Sequence, residues 1–398
     1  MPTRRVHHLA AATAAATTAL TTVLTAVGAA PAHASGELHV VPPGESIQRV
    51  LDAALPGDTV QLLPGEYRGS LRITTPGLTL RGAGPASVIL PAESADAAAA
   101  APAPAPAAAA PPAAEAPAPA EAPAPATSAA SAGDLAAACS TAGHGLCVVG
   151  TDARPLEGVT IEALAVTGFR KNGINATGTT GLTVRATYVH DNAQQGISQE
   201  KSTRGVITAN ESTRNGQSGV FLANSVDSEG GAVSTDGTLV SGNRLTDNRI
   251  GVTVRRLRDL SIERNQIRGN CGGVFVVGDE GVPRAGALTV TRNQVVANNR
   301  YCPPNPRLDH IQGAGIVLTG AEETSVTENE VRDNVGASPF SGGVVLVHSV
   351  VGVANARNTV ADNLVLGNSP ADLADRDTGT DNAFARNQCS VSEPVGHC

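Results

Sequence analysis

The chain has 398 residues, a formal net charge of -8, no Trp, 3 Tyr and 5 Phe. Beyond residue 34 no Lys/Arg-rich run interrupts this acidic balance, which excludes nucleic acid as a partner of the basic-patch kind. No later apolar stretch has spanning length, and so few aromatic rings argue against a cleft that stacks sugars on aromatic platforms.

In chain order, residues 1–34 read as an export signal. Arg4 and Arg5 open it, a weakly apolar stretch runs from Leu9 to Ala30, and Ala32-His33-Ala34 forms a cleavage pattern. Thr3-Arg4-Arg5-Val6 also carries the Arg pair of a twin-arginine signal. The mature chain is expected to start near Ser35, outside the cell, with no membrane span. Six cysteines in an exported chain point to disulfides. Nearness in sequence suggests Cys139–Cys147, Cys271–Cys302 and Cys389–Cys398, each closing a small loop.

Residues 35–91 predict an N-terminal cap and the first coils. Ser46 is a candidate N-cap, and Ile47, Val50, Leu51 and Ala54 share one helical face. Pro56-Gly57-Asp58 ends that helix. Strands are predicted at Thr59–Leu63, Leu71–Ile73, Leu78–Arg81 and Val88–Leu90, with a turn at Pro64-Gly65-Glu66-Tyr67. Residues 92–138 form an insertion dominated by Ala and Pro, a composition that cannot pack a core and is expected to be disordered.

Residues 139–398 carry a repeat. An apolar residue is followed three positions later by Asn, and five further on by a second Asn. Examples are Ile207, Asn210 and Asn215, then Ile262, Asn265 and Asn270, then Val360, Asn363 and Asn368. Weaker copies run from Val184 to Thr187 and Asn192, and from Phe384 to Asn387. Gly and a β-branched residue follow, as at Gly196-Ile197, Gly251-Val252 and Gly343-Val344. The shortest spacings, about 22 to 24 residues, are those of a solenoid. Apolar and polar residues alternate with the strand period of two, so each coil is built of strands, with Val290, Val295 and Ile316 pointing inward. The Asn residues are expected at turns, in left-handed backbone, hydrogen-bonded from coil to coil.

The run Gly44-Glu45-Ser46-Ile47-Gln48, with Pro56-Gly57-Asp58-Thr59-Val60 and Pro64-Gly65-Glu66-Tyr67, resembles the opening of pectin-lyase-like β-helix proteins. The repeats resemble their β-helix domain, and the likeness extends to many exported actinobacterial β-helix proteins. It covers nearly all of the mature chain except the insertion. It implies an all-β fold: a right-handed parallel β-helix solenoid with a short N-terminal capping helix. Enzymes of this superfamily are lyases, hydrolases and epimerases of acidic polysaccharides, so the resemblance implies an extracellular polysaccharide partner.

Two outward faces are candidates for chemistry. The first, just after each Gly, holds Asn175, Ser198, Phe221, Thr253, Phe275, Val317 and Val345. It has no charged cluster and is expected to lie under inserted loops, with Phe221 and Phe275 as an alternative sugar platform. The second, after the first Asn, offers Tyr188, His190, Asp191, Glu211, Arg214, Arg244 and Arg268. Removing the C5 proton of a uronate needs a base, an acid and a cation beside the sugar carboxylate. His190 and Tyr188 with Arg244 or Arg268 are therefore the catalytic candidates, and Asp191, Glu211 and Arg214 the substrate-binding ones. Tyr188-Val189-His190-Asp191-Asn192 resembles a coil segment of mannuronan C5-epimerases and alginate lyases, whose Asp-Pro-His-Glu motif this chain lacks. A solvated mixed-charge face is the competing reading. Gly143-His144-Gly145 matches a polygalacturonase motif without its paired Asp residues, and is assigned to a disulfide loop. No cofactor is required, though Glu322, Glu323, Glu328, Glu330 and Asp333 could gather Ca2+. The expected function is binding of, or action on, an extracellular polysaccharide, with catalysis left open. A lyase or C5-epimerase of acidic glycans and an adhesive surface solenoid are the alternatives.

Overall fold

The structure, a computed structural model, describes residues 36–92, 130–225, 230–305 and 308–398. The expected export signal and residues 93–129 of the Ala/Pro insertion lie outside the described residues. Each circuit of the chain adds one strand to each of three sheets. Among the described residues, sheet A has 12 strands, from Leu38–Val41 to Ala383–Ala385. Sheet B has 10, from Gly65–Arg68 to Leu364–Leu366, and sheet C has 11, from Leu71–Ile73 to Ser392–Glu393. Neighbouring strands run parallel in register, which makes the molecule the expected right-handed parallel β-helix.

Alternation builds the core. Val184, Ile207, Val240, Ile262 and Val290 stack one above the next inside sheet A, and all are fully buried. Ile174, Ile197, Val220, Val252 and Val274 do the same inside sheet C. Burying each such side chain contributes roughly 1.5–3 kcal/mol, and every coil depends on its two neighbours for that burial. At the N-terminal end helix α1, Ile47–Ala53, closes the column. The Ser46 hydroxyl accepts from the Arg49 N–H at 3.3 Å, and Ile47 and Leu51 are buried. Gly65–Arg68 is a strand rather than the expected turn. Tyr67 points inward, and its hydroxyl donates to the carbonyls of Val41 and Leu63, which fixes that segment on the core.

The Asn residues form two buried ladders at the corners, but not in left-handed backbone. The left-handed residue is the one before each Asn: Ala209 before Asn210, Arg264 before Asn265, Arg292 before Asn293, Asp333 before Asn334. The chain turns on that exposed residue, and the Asn side chain is thereby aimed inside the corner. Asn265 shows the pattern. Its Nδ2 donates to the Val240 carbonyl at 2.9 Å and to Asn293 Oδ1 at 3.0 Å. Its Oδ1 accepts the N–H and the Nδ2 of Asn243, both at 2.9 Å. Every polar atom of the amide is satisfied, as burial demands.

The expected insertion ends earlier than residue 138. Helix α2, Ala132–Ala142, opens with a capping box in which Ser131 and Asp134 each bond the other's backbone N–H. Gly143 ends the helix in left-handed backbone at φ 100°. Ala136 and Cys139 of α2 pack on Cys147 and Val149 of sheet C, and the Cys139–Cys147 bond fastens them. Gly143-His144-Gly145 thus lies in the expected loop closed by the Cys139–Cys147 bond, as the helix end that leads into a strand. Burial, with Lys171 adding to it, holds the His144 imidazole down to about 4, so its Nδ1 is free to accept the Asn172 N–H. The other joined pairs are Cys271–Cys302 and Cys389–Cys398.

Candidate functional site

The two candidate faces are the outer surfaces of sheet C and sheet B. On sheet C the register aligns Asn175, Ser198, Phe221, Thr253, Phe275, Val317 and Val345 in one outward column. Its C-terminal half lies under loops. Phe275 is fully buried beneath Ile311 and Phe340, with the Phe275 and Phe340 rings edge-on at 5.5 Å. Phe275 therefore cannot serve as a sugar platform.

On sheet B, the strands Tyr188–His190, Glu211–Thr213, Arg244–Thr246 and Gln266–Arg268 lie side by side. Their first positions align Tyr188, Glu211, Arg244 and Gln266, and their third positions align His190, Thr213, Thr246 and Arg268. The left-handed corner adds Asp191, Arg214 and Asp247 beside the last column. Glu211, Arg214, Arg244 and Arg268 thus line one groove of about 590 Å³, together with Thr213, Thr246 and Asp247. Gly269 keeps its edge open: a Cβ there would lie 3.1 Å from Asp247 Oδ1.

Tyr188, His190 and Asp191 stand one coil earlier and do not line that groove. They form a cluster of their own. The Tyr188 and His190 rings lie 4.1 Å apart, and His190 Nδ1 is 2.5 Å from Asp191 Oδ2 and 3.2 Å from Thr167 Oγ1. Arg214 joins the cluster to the groove with a two-pronged pair to Asp191, both contacts at 2.8 Å. That pairing, with a smaller share from His190, holds the Asp191 carboxyl below the usual carboxylate range. Arg214 is raised in turn, by Asp191 first and Tyr188 second. Arg244 and Arg268 make no ion pair among the described residues, unlike Arg214 beside them, Arg258 with Glu322 and Glu323, or Arg386 with Asp362. Two guanidinium groups on adjacent coils therefore face the groove with their donors free of an ion pair, beside the Glu211 and Asp247 carboxylates that also line it.

Four of the five carboxylates that could gather calcium, all but Asp333, are taken up by arginines. Glu322 and Glu323 pair with Arg258 and Arg357, Glu328 with Arg292 and Glu330 with Arg332. No cluster of three or more His, Cys, Asp or Glu suited to a metal ion occurs among the described residues. Nor does any described helix have the length and apolarity to cross a membrane. Thr213, Thr246 and Asp247 went unnoticed in the sequence, although counting from each Asn along the register finds them. The hydroxyls of Thr246 and Thr213, 2.9 Å apart, form the groove's polar floor.

Comparison with known proteins bears on this geometry. A family model described as a right handed beta helix region matches residues 138–295 and 226–365, together more than half of the chain. The A-module of mannuronan C-5 epimerase AlgE6 from Azotobacter vinelandii is a similar solved structure, with a TM-score of 0.52 and 17% identity over 88% of this chain and 91% of that one. The AlgE4 A-module from the same organism gives a TM-score of 0.51 and 17% identity over 90% and 93%. At that identity the likeness is one of fold. No curated protein matches by sequence.

Proposed function

The chain belongs to the right-handed β-helix family, and from that premise we propose that it is an exported protein that binds an acidic polysaccharide along the groove on sheet B. One observation carries the reading: Arg244 and Arg268 face the groove on adjacent coils without an ion-pair partner among the described residues. A guanidinium binds a carboxylate through paired N–H donors, and a groove crossing several coils suits an extended chain with a carboxylate on each sugar. Glu211, Asp247 and the two Thr hydroxyls supply partners for sugar hydroxyls. Mannuronan, the polymer in the names of the two similar structures, is one ligand of this class. Export is supported by the pairing of all six cysteines. Residues 1–34 would be removed as the signal, and residues 92 to about 130 would tether the cap to the main solenoid.

A second reading adds catalysis. In it His190, against Tyr188 and near an Arg214 that reaches Asp191 and Tyr188, would act as the base beside a phenol and a cation at one end of the groove. In that reading the chain is a lyase or C5-epimerase.

One experiment addresses both. The protein beginning at residue 35 is titrated with mannuronan, polygalacturonate and a neutral glucan, with and without calcium, and followed for unsaturated products and C5 inversion. Saturable binding of a polyuronate is expected, and Arg244→Ala with Arg268→Ala should weaken it at least about tenfold. Equal binding of the neutral glucan, or an unaffected double variant, would remove the groove from consideration. Turnover that His190→Ala abolishes in a folded protein would establish the enzyme. Absence of any binding would leave an adhesive or spacer solenoid.

A further inference from the structure

The outer face of sheet C carries a second cavity, of about 680 Å³, whose lining shares no residue with the Arg244–Arg268 groove. Val277, Thr319 and Val347 line it from successive coils. Leu308, in the loop of residues 299–313, and Phe340 add apolar walls, and the Cys271–Cys302 bond fastens that loop to its coil. Two observations fix the chemistry of an occupant. The first is the apolar surface itself, which continues onto the rim at Val350, 70% exposed, and beside it Val351, 54% exposed. Exposed apolar side chains next to an apolar cavity mark a binding surface.

The second is that the one arginine lining it, Arg376, is already paired with Glu393. Arg376 donates from Nε to Glu393 at 3.0 Å and from Nη1 to the carbonyls of Pro339 at 3.1 Å and Ser341 at 2.9 Å. The Asp309 carboxylate lies 2.9 Å from His310 Nδ1. An anion entering here would shed water, meet the Asp309 and Glu393 carboxylates and find the Arg376 charge already paired. His348, exposed at the rim, makes no side-chain hydrogen bond among the described residues and can offer one to a guest. The volume falls within the range of small-molecule sites, roughly 300–1,000 Å³.

We propose that this cavity binds a neutral, largely apolar small molecule with one hydrogen-bonding group directed at His348, independently of the polysaccharide groove. The test uses N-phenyl-1-naphthylamine and 1-anilinonaphthalene-8-sulfonate, which share an aromatic body and differ by a sulfonate. Fluorescence titration should show saturable binding of the neutral probe at one site per chain, and at least about tenfold weaker binding of the sulfonate. Val350→Asp at the exposed rim and Thr319→Arg inside the cavity should each weaken the neutral probe about tenfold or more, while Arg244→Ala with Arg268→Ala leaves it unchanged. Should Thr319→Arg fail to fold, Val350→Asp, whose side chain lies in solvent, decides alone. Equal binding of the two probes, or binding unchanged by Val350→Asp, overturns the proposal. So does a dimer in sedimentation that Val350→Asp dissociates, because the occupant would then be a second copy of the chain.

Discussion

At Asn265 a single amide ties three coils together, donating to Val240 and Asn293 and accepting twice from Asn243. Replacing it by Ala leaves the Asn243 N–H and one Nδ2 hydrogen of Asn243 without acceptors, the other staying on Ile207, and takes a donor from the Val240 carbonyl, in a site closed to water. Each stranded group costs about 1–3 kcal/mol, less whatever the corner recovers by relaxing. Asn265→Ala should therefore lower the unfolding free energy by about 2–4 kcal/mol, read from urea denaturation. Asn387→Ala, on the half-buried last rung, should cost under about 1 kcal/mol, because water can replace its bonds. Equal losses at the two positions would mean that the ladder is not the source of corner stability. The five-residue spacing of Asn revealed the ladder in the sequence. It did not reveal that Ala209, Arg264 and Arg292 take the left-handed conformation, since these residues carry no turn signature. What places them there is the buried amide that follows, a constraint from packing rather than propensity.

Strands were legible because inward and outward positions alternate, whereas α2 was hidden by its composition. An Ala-rich stretch after a long Ala/Pro run reads as more of the same, and only Ser131 with Asp134 marks a helix start. The loop of residues 299–313 poses the reverse case. Its cysteine was legible, but the apolar cover it forms over Phe275 depends on Ile311, Leu308 and Phe340 arriving from two separate loops. The Cys271–Cys302 bond holds that cover down, and a bond closing about this many residues contributes roughly 3–4 kcal/mol by the chain-entropy account. Cys271→Ser with Cys302→Ser should leave the coils intact by circular dichroism while the loop opens locally. Tryptic cleavage at the exposed Arg300 should then accelerate at least about tenfold. Unchanged cleavage would show that the apolar contacts suffice without the bond.

For the whole molecule, repeat period and residue alternation together define the solenoid, because each coil needs only its neighbours. The groove was partly legible for the same reason. Fixed register brings Glu211, Arg214, Arg244 and Arg268 together, while the shift of one coil leaves Tyr188 and His190 at its end. That arrangement sets two guanidinium groups free of ion pairs in a groove of mixed charge, on a chain whose net charge is -8. A polyuronate approaching from a distance meets net repulsion, and meets Arg244 and Arg268 only at contact. Salt screens the two differently: the Debye length falls from about 30 Å at 0.01 M to about 8 Å at 0.15 M, so the long-range repulsion fades first. The association rate for a polyuronate should accordingly rise several-fold over that range, while dissociation also quickens. Arg244→Ala with Arg268→Ala should raise the dissociation rate and leave the salt dependence of association nearly as it was. Surface plasmon resonance at stepped ionic strength reads both rates. An association rate that instead falls with salt would mean that a positive field reaches past the acidic surface and steers the polymer in, with cations beyond Arg244 and Arg268 contributing to it.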